Sequence, residues 1–302
     1  LEHGLSVVSA NKDLVALYGP DIIHKAIENH VNFSCEASVG GGIPILMPLH
    51  QSLAANQIES IVGILNGTTN YILSQMTETG VNYANALADA QKQGFAEADP
   101  TNDVCGFDAA RKLAILSSIG FRANVTFDDV LVEGIEKIDK SDIQYAKDMG
   151  YTIKLLTVAL RQENGIALNV YPAFLPDNHP LSSVKGAYNA IYVTGNIVDD
   201  VMFYGRGAGA LPTASAVMGD VISTAQHILN GSTGTGMIMT DTKRIPFYSS
   251  LKLQNSYYFR LDVDDVTGVL SQIAAAFAEN DISICEVVQK RKTKGLAELV
   301  LI

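Results

Sequence analysis

Basic charge, cysteine and long apolar runs are all in short supply in this 302-residue sequence, and each shortage excludes something. Lysine and arginine number 21 against 32 aspartates and glutamates, which gives a net charge of −11 and a pI near 4.9. A nucleic-acid partner is excluded, because that role needs a basic face to neutralise phosphates. No apolar run approaches the ~18 residues of a membrane span, so no membrane partner is expected. Cysteine occurs three times, as Cys35, Cys105 and Cys285, far apart and without a CxxC pair. An odd, scattered set builds neither a disulfide framework nor a zinc site, and a reduced, cytoplasmic setting is the default. The sequence has no GxSxG motif, no internal repeat and no low-complexity tract. What is present, 47% hydrophobic and 18% charged residues, is the composition of a folded globule. At roughly 150 residues per domain it holds about two.

The chain opens without Met or a charged leader, on LEHGLSVVSANKDL, in which Leu5 to Val8 reads as a strand. It stops inside GLAELVLI, which also reads as a strand, so a fragment cut at both ends is expected. Between these ends the spacing predicts a helix over 13–33, from Leu14, Leu17, Ile22, Ile23, Ala26 and Ile27. A turn-rich stretch, CEASVGGGIPILMPL, follows, then a strand over Ile58 to Ile64 and a short helix after NGTTN. Further helices are predicted over 83–94, ending at Gly94, and 107–119, with the loop FAEADPTNDVCG between them. From 151 to 204 the period shifts to that of strands, which predicts a largely antiparallel sheet. GRGAG then feeds a helix, and 231–246 is a Gly- and Thr-rich linker. The last 47 residues read as β-α-β-β, most of a ferredoxin-like unit, with the basic turn KRKTKG at a hairpin tip.

The densest chemical candidate is GFAEADPTNDVCGFDAARKL, with Glu97, Asp99, Asp103, Asp108, Arg111 and Lys112. Asp108 and Lys112 are four residues apart and share a helix face. Carboxylates gathered around a lysine can hold an ammonium group while the lysine handles a proton. The same residues also read as a solvated acidic loop with a surface salt bridge of ~0.3–0.5 kcal/mol. Lys12 sits where a strand ends, a place where α/β sheets collect ligands, or it is a solvent-facing lysine. GRGAG ahead of a helix can set backbone N–H groups against a phosphate, or it is a plain helix-starting turn; it is not a GxGxxG fingerprint. Glu36, beside Gly40, Gly41 and Gly42, can bind a hard cation through its carboxylate and nearby carbonyls, or it is an acid at a tight turn. The six histidines show no metal-type spacing and are read as structural or surface residues.

The segments SVVSANK, CEASVGGGIPI, GILNGTTNYIL, GFAEADPTNDVCGFDAARKL and YGRGAGALPTASAVMGD occur in the order seen in homoserine dehydrogenase. The resemblance covers roughly residues 1–235, and 256–302 resembles a truncated ACT domain with DVTGVL as its ligand-facing loop. It implies a mixed α/β and α+β fold. A mixed-sheet catalytic and dimerisation domain of the glyceraldehyde-3-phosphate-dehydrogenase-like C-terminal type would carry helices, beside a Rossmann remnant and a ferredoxin-like ACT module. The implied boundaries are 1–30 for the nucleotide-binding remnant, 31–204 for the catalytic domain, 205–235 for the glycine loop and returning helix, 236–255 for a linker and 256–302 for the ACT domain.

The resemblance also implies a reaction, the reduction of aspartate 4-semialdehyde to homoserine with NADPH or NADH, on the branch to threonine, isoleucine and methionine. The catalytic residues would be Lys112, Lys12 and Asp108, the lysines handling the proton and Asp108 either acting with them or only tuning its neighbour. Glu97, Asp103, Asp108, Gly67, Thr68 and Lys12 would bind the amino-acid substrate, and Lys12 and Gly209 would border NADP or NAD. A monovalent cation, Na or K, would use Glu36 with the carbonyls of Val39, Gly41 and Ile43. A homodimer or higher homo-oligomer, and feedback by an amino-acid effector, threonine foremost, complete the expectation. The competing readings are a non-catalytic amino-acid sensor and a dehydrogenase for a related semialdehyde.

Overall fold

The computed structural model describes residues 1–233, 246–248, 253–291 and 295–302, which fall into two units, 1–251 and 252–302. The first begins with β1 (Val7–Val8), α1 (Lys12–Glu28) and β2 (Phe33–Ser34), β1 pairing parallel with β2. Asn11 starts α1 by accepting the N–H of Leu14 (3.0 Å). The helix ends earlier than the apolar spacing predicts, because His30 turns to φ +52° and sends the chain into β2. A 3₁₀ turn, Glu36–Ser38, and a π-helical turn, Pro48–Ser52, organise the stretch predicted as plain turns.

Next come β3 (Ile58–Ile64), α2 (Gly67–Thr79), α3 (Tyr83–Lys92), α4 (Thr101–Val104) and α5 (Phe107–Gly120). They are followed by β4 (Leu131–Val132), α6 (Lys140–Asp148), β5 (Tyr151–Gln162), β6 (Gly165–Pro176), β7 (Tyr188–Gly195), β8 (Asp199–Arg206) and α7 (Ala210–Leu229). The six strands β3 to β8 form one sheet in the order β4-β6-β5-β3-β7-β8, antiparallel except where short β4 runs parallel to β6. The sheet is thus mixed, and its 151–204 part is antiparallel as the strand period predicts.

Helices α2 and α5 cover one face, and α5 is held there by buried Leu113, Ala114, Ile115 and Leu116. Burying such side chains stabilises by roughly 1.5–3 kcal/mol for each leucine or isoleucine. The opposite face carries a smaller cluster around Ile64, Leu156, Val158 and Leu181, with Val62, Leu160, Tyr171 and Tyr192 half-buried beside it. α1 packs on α5, which brings the start of α1 to the start of α5. α4, α6 and β4 are too short or too polar for sequence periodicity to mark, and none was predicted.

The second unit consists of β9 (Phe259–Asp264), α8 (Val269–Ala278), β10 (Val287–Arg291) and β11 (Leu296–Leu301). These are the predicted β-α-β-β elements, paired antiparallel in the order β10-β11-β9. A cavity of about 170 Å³ opens at the DVTGVL turn, lined by Val263, Gly268, Leu270, Gln289 and Leu299. The tip of KRKTKG, residues 292–294, and most of the expected linker lie outside the described residues. Among the described residues no helix is long and apolar enough to cross a membrane.

Candidate active site

Asp108 is the second residue of α5, where the unpaired N–H groups of the first helical turn favour a negative charge. Gly106 makes that start possible. It adopts φ +84°, and a Cβ there would press to 3.0 Å from Val132 Cγ1. One turn on, Lys112 reaches back to Asp108 Oδ2 (2.7 Å) and also donates to the carbonyl of Leu65 (2.8 Å). From the start of α1, Lys12 reaches Asp108 Oδ1 at 2.7 Å. One carboxylate thus bridges two ammonium groups. The Asp108 side chain is 6% exposed, Lys112 12% and Lys12 36%, so the cluster is buried at the acid and open at Lys12.

Burial works against the charged form of Asp108, but the two ammonium groups outweigh it and hold its carboxyl well below the usual carboxylate range. Partial burial likewise opposes the charge on Lys12, yet Asp108 outweighs it and raises that lysine. Asn66 completes the arrangement. It caps α2 by accepting the N–H of Thr69 (2.8 Å), and its Nδ2 donates to Asp103 Oδ1 (2.6 Å) and Asp108 Oδ2 (2.9 Å). Burial pushes Asp103 above the usual carboxylate range, against the hydrogen bond from Asn66. Thr68, one residue past Gly67, donates to the carbonyl of Phe95 (2.6 Å).

The structure therefore brings together Lys12, Lys112, Asp103 and Asp108, with Gly67 and Thr68 on the adjoining helix start. It does not bring Glu97 to them: Glu97 is exposed and its carboxylate has no partner among the described residues. Asp99 is exposed too, and its Oδ1 accepts the N–H of Thr101 (3.1 Å) in a local turn ahead of α4. Glu97 and Asp99 thus face solvent, while Asp108 does not.

Glu36 is held by the main chain. Its Oε1 accepts the N–H groups of Ile45 and Leu46, and its Oε2 that of Met47 (2.8 Å). Three of the carboxylate's roughly four acceptor positions are thus taken by the backbone of residues 45–47. The donors left are main-chain: Val39, Gly41 and Ile43 are buried, and among the described residues no backbone N–H is bonded to their carbonyls. No group of three or more His, Cys, Asp or Glu side chains suited to a metal occurs among the described residues. The backbone N–H of Glu36 donates to Asp220 of α7 (2.9 Å), and burial pushes the Asp220 carboxyl up to about 6.

The two glycine-rich stretches meet. A Cβ on Gly41 would lie 2.5 Å from the carbonyl oxygen of Gly207, and one on Gly42 2.8 Å from Pro212 Cβ. Gly209 caps α7 at φ +120°, exposed and with bare backbone. Sequence reasoning missed Asn66, whose place between a strand end and a helix start was the available signal, and the contact between GGG and GRGAG, which had none.

The comparisons with known proteins agree with one another. The family model described as homoserine dehydrogenase matches residues 44–222, more than half of the chain. The homoserine dehydrogenase of Bacillus subtilis is 43% identical over 98% of this chain and 69% of its own length. That of Mycobacterium tuberculosis is 46% identical over 96% of this chain and 66% of its own length, so the chain spans about two thirds of these relatives. Among solved structures, a homoserine dehydrogenase from Thiobacillus denitrificans superposes with a TM-score of 0.92 at 40% identity, covering 98% of this chain and 68% of that one. A hyperthermophilic archaeal homoserine dehydrogenase in complex with NADPH superposes with a TM-score of 0.64 at 28% identity, covering 74% of this chain and 65% of that one. By sequence and by fold, the chain belongs to the homoserine dehydrogenase family of oxidoreductases.

Proposed function

We propose that the protein interconverts aspartate 4-semialdehyde and L-homoserine with NADP or NAD, on the branch to threonine, methionine and isoleucine. The observation that carries this reading is the single buried carboxylate, Asp108, shared by two lysines. The nicotinamide supplies or accepts the hydride. As charge builds on the aldehyde oxygen of the substrate, a positioned ammonium group stabilises it and delivers a proton. Lys112 is the better placed for this, fixed by Asp108 and the Leu65 carbonyl, while the more exposed Lys12 stands at the rim beside the nucleotide. Asp103 and Glu97 hold the substrate ammonium, and Gly67 and Thr68 flank it. The exposed backbone at Gly209 fits a nucleotide approaching from that side, and the archaeal relative's NADPH supports the cofactor class.

The same reading extends to the rest of the molecule. A monovalent cation, Na or K, is held by the carbonyls of Val39, Gly41 and Ile43 and steadies the turn against Gly207, a role supported by their unpaired, buried state. A nucleotide-binding domain covers the exposed apolar side chains Leu17 of α1 and Leu211 and Leu229 of α7. A homodimer forms through the sheet face carrying Val62, Leu160, Tyr171 and Tyr192. The second unit acts as the ACT module, and its cavity at DVTGVL takes the amino-acid effector, threonine. Three free cysteines suit a reduced cytoplasm.

The deciding experiment is NAD(P)-dependent oxidation of homoserine by the intact protein and by its Lys112→Ala variant. Turnover in the parent and a loss of about 10²–10⁴-fold in the variant, with the fold retained, is the expected result. No turnover in the parent would favour the amino-acid sensor, and a preference for another hydroxy amino acid would favour a related dehydrogenase.

A further inference from the structure

The helix start at Gly67 and the glycine loop at Gly207 converge on one buried side chain. Asn189 lies in β7 opposite Gly205 of β8, is 1% exposed, and faces the helix-covered side of the sheet with Ile191 and Val193. A Cβ on Gly207 would overlap its amide, and one on Gly67 would lie 3.6 Å from its Oδ1. Asn66, which holds Asp103 and Asp108, directly precedes Gly67. Asn189 therefore stands between the carboxylate–lysine cluster and the loop that ends at Gly209.

Its amide is unpaired. Neither Nδ2 nor Oδ1 has a hydrogen-bond partner among the described residues. Buried polar groups are almost always paired, and an orphaned one destabilises the fold that contains it. Asn32 and Asn169 are also unpaired, but Asn189 differs in sitting against two glycine-bearing loops. Nor is the position slack. Asn70 of α2 donates to the carbonyls of Val184 (3.2 Å), Gly186 (2.9 Å) and Tyr188 (3.1 Å). Buried Lys154 of β5 donates to Asn70 Oδ1 (2.9 Å) and to the Val184 carbonyl. The segment leading into Asn189 is thus tied to the helix that begins at Gly67.

We propose that Asn189 is a positioning residue that couples the amino-acid side of the site to the nucleotide side. It sets the gap between Gly67 and Gly207, and its amide takes main-chain partners in those loops when both substrates are bound. A group unpaired in the free enzyme and paired only in the ternary complex contributes only when both ligands are present, so it shows itself as cooperativity between them. This inference rests on the dehydrogenase reading above.

The test uses the intact enzyme and its Asn189→Ala and Asn189→Ser variants. Three quantities are measured: turnover, the Tm of the ligand-free protein, and the Kd of reduced nucleotide with and without saturating homoserine, an unreactive pair. In the parent, homoserine tightens nucleotide binding, by at least about 5-fold on the usual scale of such couplings. In Asn189→Ala the coupling falls towards one and the KM for homoserine rises, while the Tm holds or increases because a buried unpaired amide is gone. Asn189→Ser, which keeps a hydroxyl, recovers part of the coupling. A lowered Tm with the parent's coupling, absence of coupling in the parent, or failure of both variants to fold overturns the proposal. A parent without NAD(P)-dependent turnover overturns the dehydrogenase reading and this inference with it. An active parent whose variants keep the full coupling overturns this inference alone.

Discussion

Asp108 and Glu36 are both buried carboxylates, both at helix starts, and both beside conspicuous glycines, yet they are neutralised in different ways. Asp108 is balanced by two side-chain ammonium groups on separate helices. Glu36 is balanced by three backbone N–H groups of its own neighbourhood. Main-chain dipoles cannot move or give up a proton, so Glu36 makes a turn rigid. Ammonium groups on long side chains can do both, so Asp108 organises groups able to react. What separates structural from chemical acids here is the nature of the partner, since burial is common to both.

The largest expected break in this contrast is Asp108→Asn. It should lower kcat/KM by about 10²–10⁴-fold in steady-state assays. It should also change the pH dependence of stability. The Asp108 carboxyl lies below the ordinary carboxylate range in the folded state, so its stabilisation is present at neutral pH and fades as the pH drops beneath that range. Thermal melts of the variant should therefore show a shallower acid limb than the parent.

Glu36→Gln comes next. Exchanging a charge-assisted acceptor for an amide that turns an NH₂ towards backbone donors should cost about 2 kcal/mol in denaturant unfolding. Its loss of turnover should be smaller than that of Asp108→Asn. Equal losses would erase the distinction between the two acids.

Lys154 sharpens the comparison from the cationic side. It is buried with only neutral oxygen partners, and burial lowers it to about 8. Between that value and the ordinary lysine range the unfolded chain binds the proton more strongly, so stability rises with pH across this window. Lys154→Met should flatten that rise in melts run from pH 8 upward. Glu97→Gln is the smallest perturbation. Exposed and without a carboxylate partner among the described residues, Glu97 should be replaceable with no measurable change in Tm, while the KM for the amino-acid substrate increases.

The sequence made the local half of this picture legible. Seven residues of one strand, Ile58–Ile64, and the apolar stripe of α5 follow simple periods, and Asp108 and Lys112 share a face at four-residue spacing. Lys12 and Asp108 are far apart in the chain and meet only because α1 packs on α5, which no spacing reveals. The destination of Glu36's oxygens was illegible for a related reason: a carboxylate beside three glycines looks the same whether it caps a helix or faces an ion. Short α4 escaped because a single turn shows no period, and polar α6 because its start is set by the Asp139 cap more than by an apolar stripe. The β-α-β-β unit, by contrast, carried its alternation openly in Tyr257, Phe259, Leu261 and Val263.

The sharing of one anion by two amines also fixes a stoichiometry. Two ammonium groups around one carboxylate leave the trio with a net charge of +1, a local excess of the opposite sign to that of the whole chain. That excess favours electron-rich oxygen atoms at the trio, which sets the sign of what can settle against it.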